Sequence, residues 1–133
     1  MNGRSFLRVA DQFRASADEA EVRTSISRSY YALFNVLLGA LSAKGVIFRE
    51  TADDHYTLIG YLNKADSKVA AIVGTALKTL RLERNRADYD MKATFDAKTS
   101  DFLYLKATRA LAQFDAIPPL DMQRIVERIQ ALS

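Results

Sequence analysis

The sequence predicts an all-α fold, an up-and-down bundle of about five or six helices in a single domain over residues 1–133. Three observations predict it. Apolar residues recur at steps of three and four along most of the chain, the repeat that lines up side chains on one helix face. No segment sustains the period-two alternation of a strand. Breakers are scarce, with 5 glycines and 2 prolines, so long segments run uninterrupted. The chain is 49% hydrophobic over 133 residues, which is enough to bury a core.

The first helix is expected over about 4–15, where Phe6, Val9, Ala10 and Phe13 recur at helical spacing. Ser16 and Glu19 then read as a capping box. A long helix follows over about 18–44. Val22, Ile26, Tyr30, Leu33, Leu37 and Leu41 form its stripe, and Tyr31, Phe34 and Leu38 widen it, so it should be buried on more than one side. A second strip, Ser25, Arg28, Ala32, Asn35, Gly39 and Ser42, is small or polar and would let another backbone approach. Lys44-Gly45 is a fitting end, with lysine at the negative pole and glycine past the cap.

Residues 46–53 connect to a short helix at about 54–64, with Tyr56, Ile59 and Leu62 as its apolar contacts. Asp66 or Ser67 caps the next helix, which runs to about 88 on a stripe of Val69, Ile72, Val73, Ala76, Leu77 and Leu80. After a loop at 91–97, a helix at about 98–115 carries Phe102, Leu105, Leu111 and Phe114. Pro118-Pro119 breaks the chain. Residues 119–131 form a last amphipathic helix through Met122, Ile125, Val126 and Ile129, with proline suited to its first turn.

The chain has no cysteine, which excludes disulfides, thiolate metal sites and a cysteine nucleophile. No cluster of His, Asp and Glu stands at metal-ligand spacing, and no glycine-rich phosphate loop is present, so neither metal nor cofactor is expected. The longest apolar stretch, YYALFNVLLGAL at 30–41, is shorter than the roughly 20 residues that span a bilayer. The N-terminus breaks its apolar residues with Arg4, Arg8 and Asp11, unlike a secretion signal. A soluble, cytoplasmic protein without membrane contact is the expectation. The formal charge of +3 is mild and neither demands nor excludes RNA.

Local clustering is more informative. Residues 81–90 read RLERNRADYD. On a helix, Arg84 and Asp88 can pair across one turn, as can Arg86 and Asp90. Arg81, Asn85 and Tyr89 make a polar ridge at spacings of four. Arg84 falls between that ridge and the apolar stripe, so it should sit at the margin of the core, where Asp88 can steer its fork toward a phosphate. A solvated helix end laced with surface ion pairs would show the same composition. His55 is the only histidine. Asp53 and Asp54 beside it could hold it protonated, but its place before a short helix reads as a surface or capping position. The tyrosines could stack on bases, yet their apolar company points to packing with paired hydroxyls.

Two stretches together, SRSYYALF at 27–34 and RNRADYD at 84–90, resemble the HEPN superfamily, closest to its small stand-alone prokaryotic members. The resemblance covers about 1–115. It implies a helical bundle that dimerises around a cleft. There, an Arg-polar-x-x-x-His motif from each subunit cleaves RNA without metal, using the ribose 2′-hydroxyl as nucleophile. Arg84 matches the arginine, Asn85 the polar residue, and Tyr89 stands at the histidine position. A phenol with a pKa near 10 is a poor general base at neutral pH, though it can position phosphate. The resemblance therefore implies a homodimer that acts on RNA, as a metal-independent endoribonuclease or a toxin–antitoxin or defence component. The alternative is a non-catalytic module that binds a nucleotide or a protein. Arg84, Asn85 and Tyr89 would be the catalytic set, with Asp88 orienting an arginine. Arg81, Arg86, Arg28 and Asn35 would contact RNA phosphate. By analogy, a nucleotidyltransferase-type protein would be the partner.

Overall fold

The computed structural model describes residues 2–133, and these form an all-α bundle of six helices: α1 (Ser5–Phe13), α2 (Glu19–Ala43), α3 (Asp54–Lys64), α4 (Lys68–Tyr89), α5 (Ala97–Asp115) and α6 (Pro119–Leu132). Helix α2 is the central element. It packs against α1, α4 and α5, while α3 lies on α4 and α6 on α3. All six residues of its stripe are buried. The small, polar strip beside it receives α1, where the Ser25 hydroxyl donates to the Ala10 carbonyl at 2.7 Å. At the N-terminal end of α1 the chain comes so close that a Cβ on Gly3 would lie 3.0 Å from the Val36 amide nitrogen.

The helix ends follow local chemistry. Asp18, extended in backbone, caps α2 by accepting the Ala20 N–H at 2.9 Å. The capping box expected from Ser16 and Glu19 does not form. The Asp18 carboxylate, two residues nearer the helix, takes the cap, and Ser16 instead accepts the Asp18 N–H and donates to Glu21 Oε1. At the other end Gly45 adopts φ 95°, its N–H reaches the Ser42 carbonyl, and the Val46 N–H reaches Leu41. This is a Schellman closure with buried Val46 as its apolar contact. The α3–α4 turn uses both residues proposed for it. Asp66 takes the left-handed conformation (φ 52°), and Ser67 caps α4 by accepting the Ala70 N–H at 3.2 Å.

Five expected core residues, in three helices, are exposed instead. In α4, Val69 and Ile72 are exposed, and Ala70 joins Val73, Ala76, Leu77 and Leu80 in the core. In α5, Phe102 and Leu105 are exposed, while Leu103, Ala107 and Ala110 are buried with Leu111 and Phe114. In α3, Tyr56 is exposed and Leu58 is buried with Ile59 and Leu62. Each helix carries apolar residues over a wider arc than its neighbours cover, and the covered part is set by where those neighbours lie. Helix α6 docks on its own bundle through Met122, Ile125, Val126 and Ile129, all buried. Among the described residues, no helix is long and apolar enough to cross a membrane.

Candidate functional site

Helix α4 changes character at Leu80. Before it the buried face is apolar; after it Arg81, Glu83, Arg84 and Asn85 are half-buried. The arginines are three apart and so share a face. That face meets α2 at Tyr30 and Tyr31, and α3 at His55 and Tyr56.

The Arg84 side chain is 13% exposed. Its Nε lies 3.1 Å from Asp88 Oδ2, an ion pair without a directed hydrogen bond. Nη1 donates to Asn85 Oδ1 at 2.7 Å, and Nη2 donates to the Tyr31 hydroxyl. The guanidinium also stands 4.8 Å from the Tyr31 ring centroid, 5.7 Å from Tyr30 and 5.8 Å from Tyr89. Asp88 in turn accepts from Ser27 at 3.4 Å, so the carboxylate that orients Arg84 is itself oriented by α2. The expected Arg84–Asp88 pair and the place of Arg84 at the core margin are both present.

Arg81 is placed differently. Its guanidinium carbon stands 4.0 Å from the centroid of the Tyr56 ring, and its Nε is buried with no hydrogen-bond partner. No carboxylate pairs with it among the described residues, so it is the cation of this face left without a counter-charge. With the Tyr56 ring exposed, a cation–π contact of this kind is worth about 0.5–1 kcal/mol.

His55 belongs to the same cluster, contrary to the surface or capping place read from the sequence. Its ring stacks on Phe34 at 4.2 Å and on Tyr30 at 5.6 Å, and its Nδ1 meets the Tyr30 hydroxyl. Burial pushes its pKa below the ordinary 6.5, and repulsion from Arg81 and then Arg84 lowers it further; the opposing pull of Asp54 is smaller. The expectation that the neighbouring aspartates hold it protonated is therefore reversed. Asp54 is buried and accepts the Arg49 N–H at 3.1 Å. Burial also pushes the Tyr30 phenol far above its usual pKa, outweighing the two arginines. The sequence did hold a signal for His55: it precedes Leu58, Ile59 and Leu62 by three, four and seven residues, and so extends their buried face by one turn.

The remaining nominated residues are dispersed. Tyr89, at the end of α4, is 74% exposed, and with Asn85, Arg86 and Asp90 it lines a shallow, open depression. Arg86 pairs with Glu83 at 3.0 Å and not with Asp90, whose carboxylate instead closes the next turn by accepting the Lys92 and Ala93 N–H groups. Arg28 lies over the Phe6 ring at 5.5 Å, on the α1 side, and Asn35 donates back to the Tyr31 carbonyl at 2.9 Å. Neither touches the arginines of α4, because the strip that carries them is occupied by α1.

Arg23 is a residue that sequence reasoning missed. Its side chain, 15% exposed, donates to the carbonyls of Ala87 (3.0 Å), Asp90 (2.9 Å) and Ala93, and pairs with Glu19 at 3.1 Å. One guanidinium from α2 thus satisfies carbonyl oxygens at the C-terminal end of α4 and in the turn beyond it. Its carbonyl partners lie more than sixty residues away, beyond the reach of any local pattern. Compared with protein-family models, with curated proteins and with solved structures, the chain matches none.

Proposed function

We propose that this chain is a HEPN-like domain that acts on RNA through the arginine face of α4 and works as a homodimer. The observation that carries the reading is the pairing of two unlike arginines one turn apart. Arg84 is held in place by Asp88, Asn85 and Tyr31, while Arg81 has no counter-charge. Partly desolvated, oriented guanidinium groups bind phosphate oxygens strongly. In the cleavage reaction implied by the resemblance, the ribose 2′-oxygen attacks the adjacent phosphorus as the P–O5′ bond breaks, the proton of the 2′-hydroxyl ends on the departing 5′-oxygen, and Arg84 stabilises the charge that develops on the phosphate oxygens. Tyr89 and Asn85 would position the strand at the rim. The homodimer draws support from the outer side of the same helix, where Leu82 and Tyr89 are exposed, and from exposed Met91 in the turn beyond it.

A second reading, a binding module without turnover, is favoured by one feature. Three side chains of its own bundle already hold Arg84, and the histidine position of the motif is Tyr89. A single experiment separates the two. Purified wild type and Arg84→Ala are incubated with single-stranded RNA in EDTA, and both binding and product are measured. Cleavage by wild type that Arg84→Ala loses supports the enzyme; binding without product supports the module. Neither binding nor cleavage by wild type ends the RNA reading. By analogy the domain would serve a toxin–antitoxin or defence system beside a nucleotidyltransferase-type protein, which co-purification from the native host would test.

A further inference from the structure

His55 and Tyr56, at the start of α3, lie against the α4 arginines, and the reaction above uses neither of them. His55 is enclosed from three sides. On α2, Tyr30 and Phe34 stack against its ring, with Tyr31 adjoining Tyr30. On α4, the charges of Arg81 and Arg84 act on it. On its own helix Asp54 precedes it, and Tyr56 follows, 67% exposed beneath the Arg81 guanidinium.

We propose that His55 is a phosphate ligand: with Arg81 and Arg84 its imidazole forms a three-donor site for a phosphodiester of single-stranded RNA, and Tyr56 stacks the attached base. This rests on the reading of the α4 arginines as RNA-contacting groups. The sense of the imidazole follows from Tyr30. Among the described residues that hydroxyl has one partner, His55 Nδ1, and burial keeps the phenol protonated at neutral pH. In this proposal the phenol donates to Nδ1, which leaves the proton of the neutral ring on Nε2. No described group bonds Nε2. It is a neutral N–H donor that adds a directed hydrogen bond to an anion without adding a third positive charge to repel the arginines. Tyr56 supplies the other half of the argument. An exposed ring beside a cation without a counter-charge is the arrangement by which proteins stack bases of a single strand while holding its backbone.

The test measures binding of a fluorescently labelled oligouridylate by anisotropy, in EDTA, with folding checked by circular dichroism. His55→Ala should weaken binding about tenfold, the loss of one hydrogen bond to a charged group. His55→Gln places an amide N–H near the Nε2 position and should stay within about threefold of wild type. Tyr56→Ala should lose about tenfold, the stacking of one base. Wild-type affinity should not rise as pH is lowered from about 8 to about 6.5, because the ring stays neutral. His55 is the only histidine, so a long-range proton–nitrogen spectrum of wild type reports its tautomer directly, whether or not the alanine variant folds. The Nε2–H tautomer at neutral pH, with Nε2 shifting on RNA addition, is expected. An Nδ1–H tautomer, a charged ring, or RNA binding that leaves the ring signals unmoved overturns the proposal. If Arg81→Ala loses binding while the His55 and Tyr56 variants keep it, His55 is no ligand and the reading of the arginines stands. A wild type that binds no RNA ends both.

Discussion

The two halves of α4 do opposite things with the same helical geometry. From Lys68 to Leu80 the helix buries small and aliphatic side chains, and it approaches α3 so closely that a Cβ on Gly74 would lie 2.9 Å from Leu62 Cβ. From Arg81 to Tyr89 it half-buries guanidinium groups against aromatic rings and hydroxyls. The first half is held by non-directional burial, which tolerates any apolar neighbour of the right size. The second is held by directed contacts with named partners on α4 itself, on α2 and on α3, and loses more when one partner is removed than the contact itself is worth. A core can thus be specified by pattern alone, whereas a polar site needs its partners supplied by other elements.

The contrast can be broken by mutation. The largest effect belongs to the apolar half. Leu77→Ala should cost about 2–5 kcal/mol in chemical denaturation at fixed protein concentration, through lost burial and the cavity left behind. Arg23→Ala comes next, at about 2–3 kcal/mol, because it strips charged hydrogen bonds from carbonyls at the end of α4. A loss below about 0.5 kcal/mol would show that water replaces the guanidinium freely. Tyr31→Phe keeps the ring and removes the acceptor of Arg84, so about 1–2 kcal/mol is expected. RNA binding should weaken along with it if Tyr31 positions that arginine.

The pH dependence sharpens the same comparison. The folded state holds the His55 pKa below its ordinary 6.5. Above that value the ring is neutral in both folded and unfolded chains, and the stability is fully present. As pH falls from about 6.5 through the folded pKa, the unfolded chain takes up the proton first, and the bundle loses stability. His55→Phe should remove this part of the acid sensitivity in a series of thermal melts. The smallest effect is expected for Ile72→Ser, within about 0.5 kcal/mol, because Ile72 lies on the exposed side of the apolar half.

How much of this was legible in the sequence follows the same division. The stripe of α2 was read correctly at every position because α2 is central and its neighbours cover the whole of it. Val69, Ile72, Tyr56, Phe102 and Leu105 were assigned to the core because periodicity marks an apolar arc, and only the positions of other helices decide which part of the arc is covered. Ile72, Phe102 and Leu105 instead line a surface groove between α4 and α5. Within the site, the Arg84–Asp88 pair was legible, since both residues lie on one helix four apart. The Arg86–Asp90 pair had the same spacing and did not form, because Asp90 lies past the helix end and serves the following turn. His55, Arg81 over Tyr56 and Arg23 were out of reach in their roles, because each is defined by a partner on another helix.

The Arg23 contacts carry a consequence for motion. Helix ends ordinarily fray, and a binding group on the last turns of a helix would share in that opening. Here the same helix that supplies Tyr30 and Tyr31 also grips the final carbonyls of α4. Slow amide exchange should therefore persist to the last turn of α4, and the two walls of the arginine cluster should shift as one rigid piece.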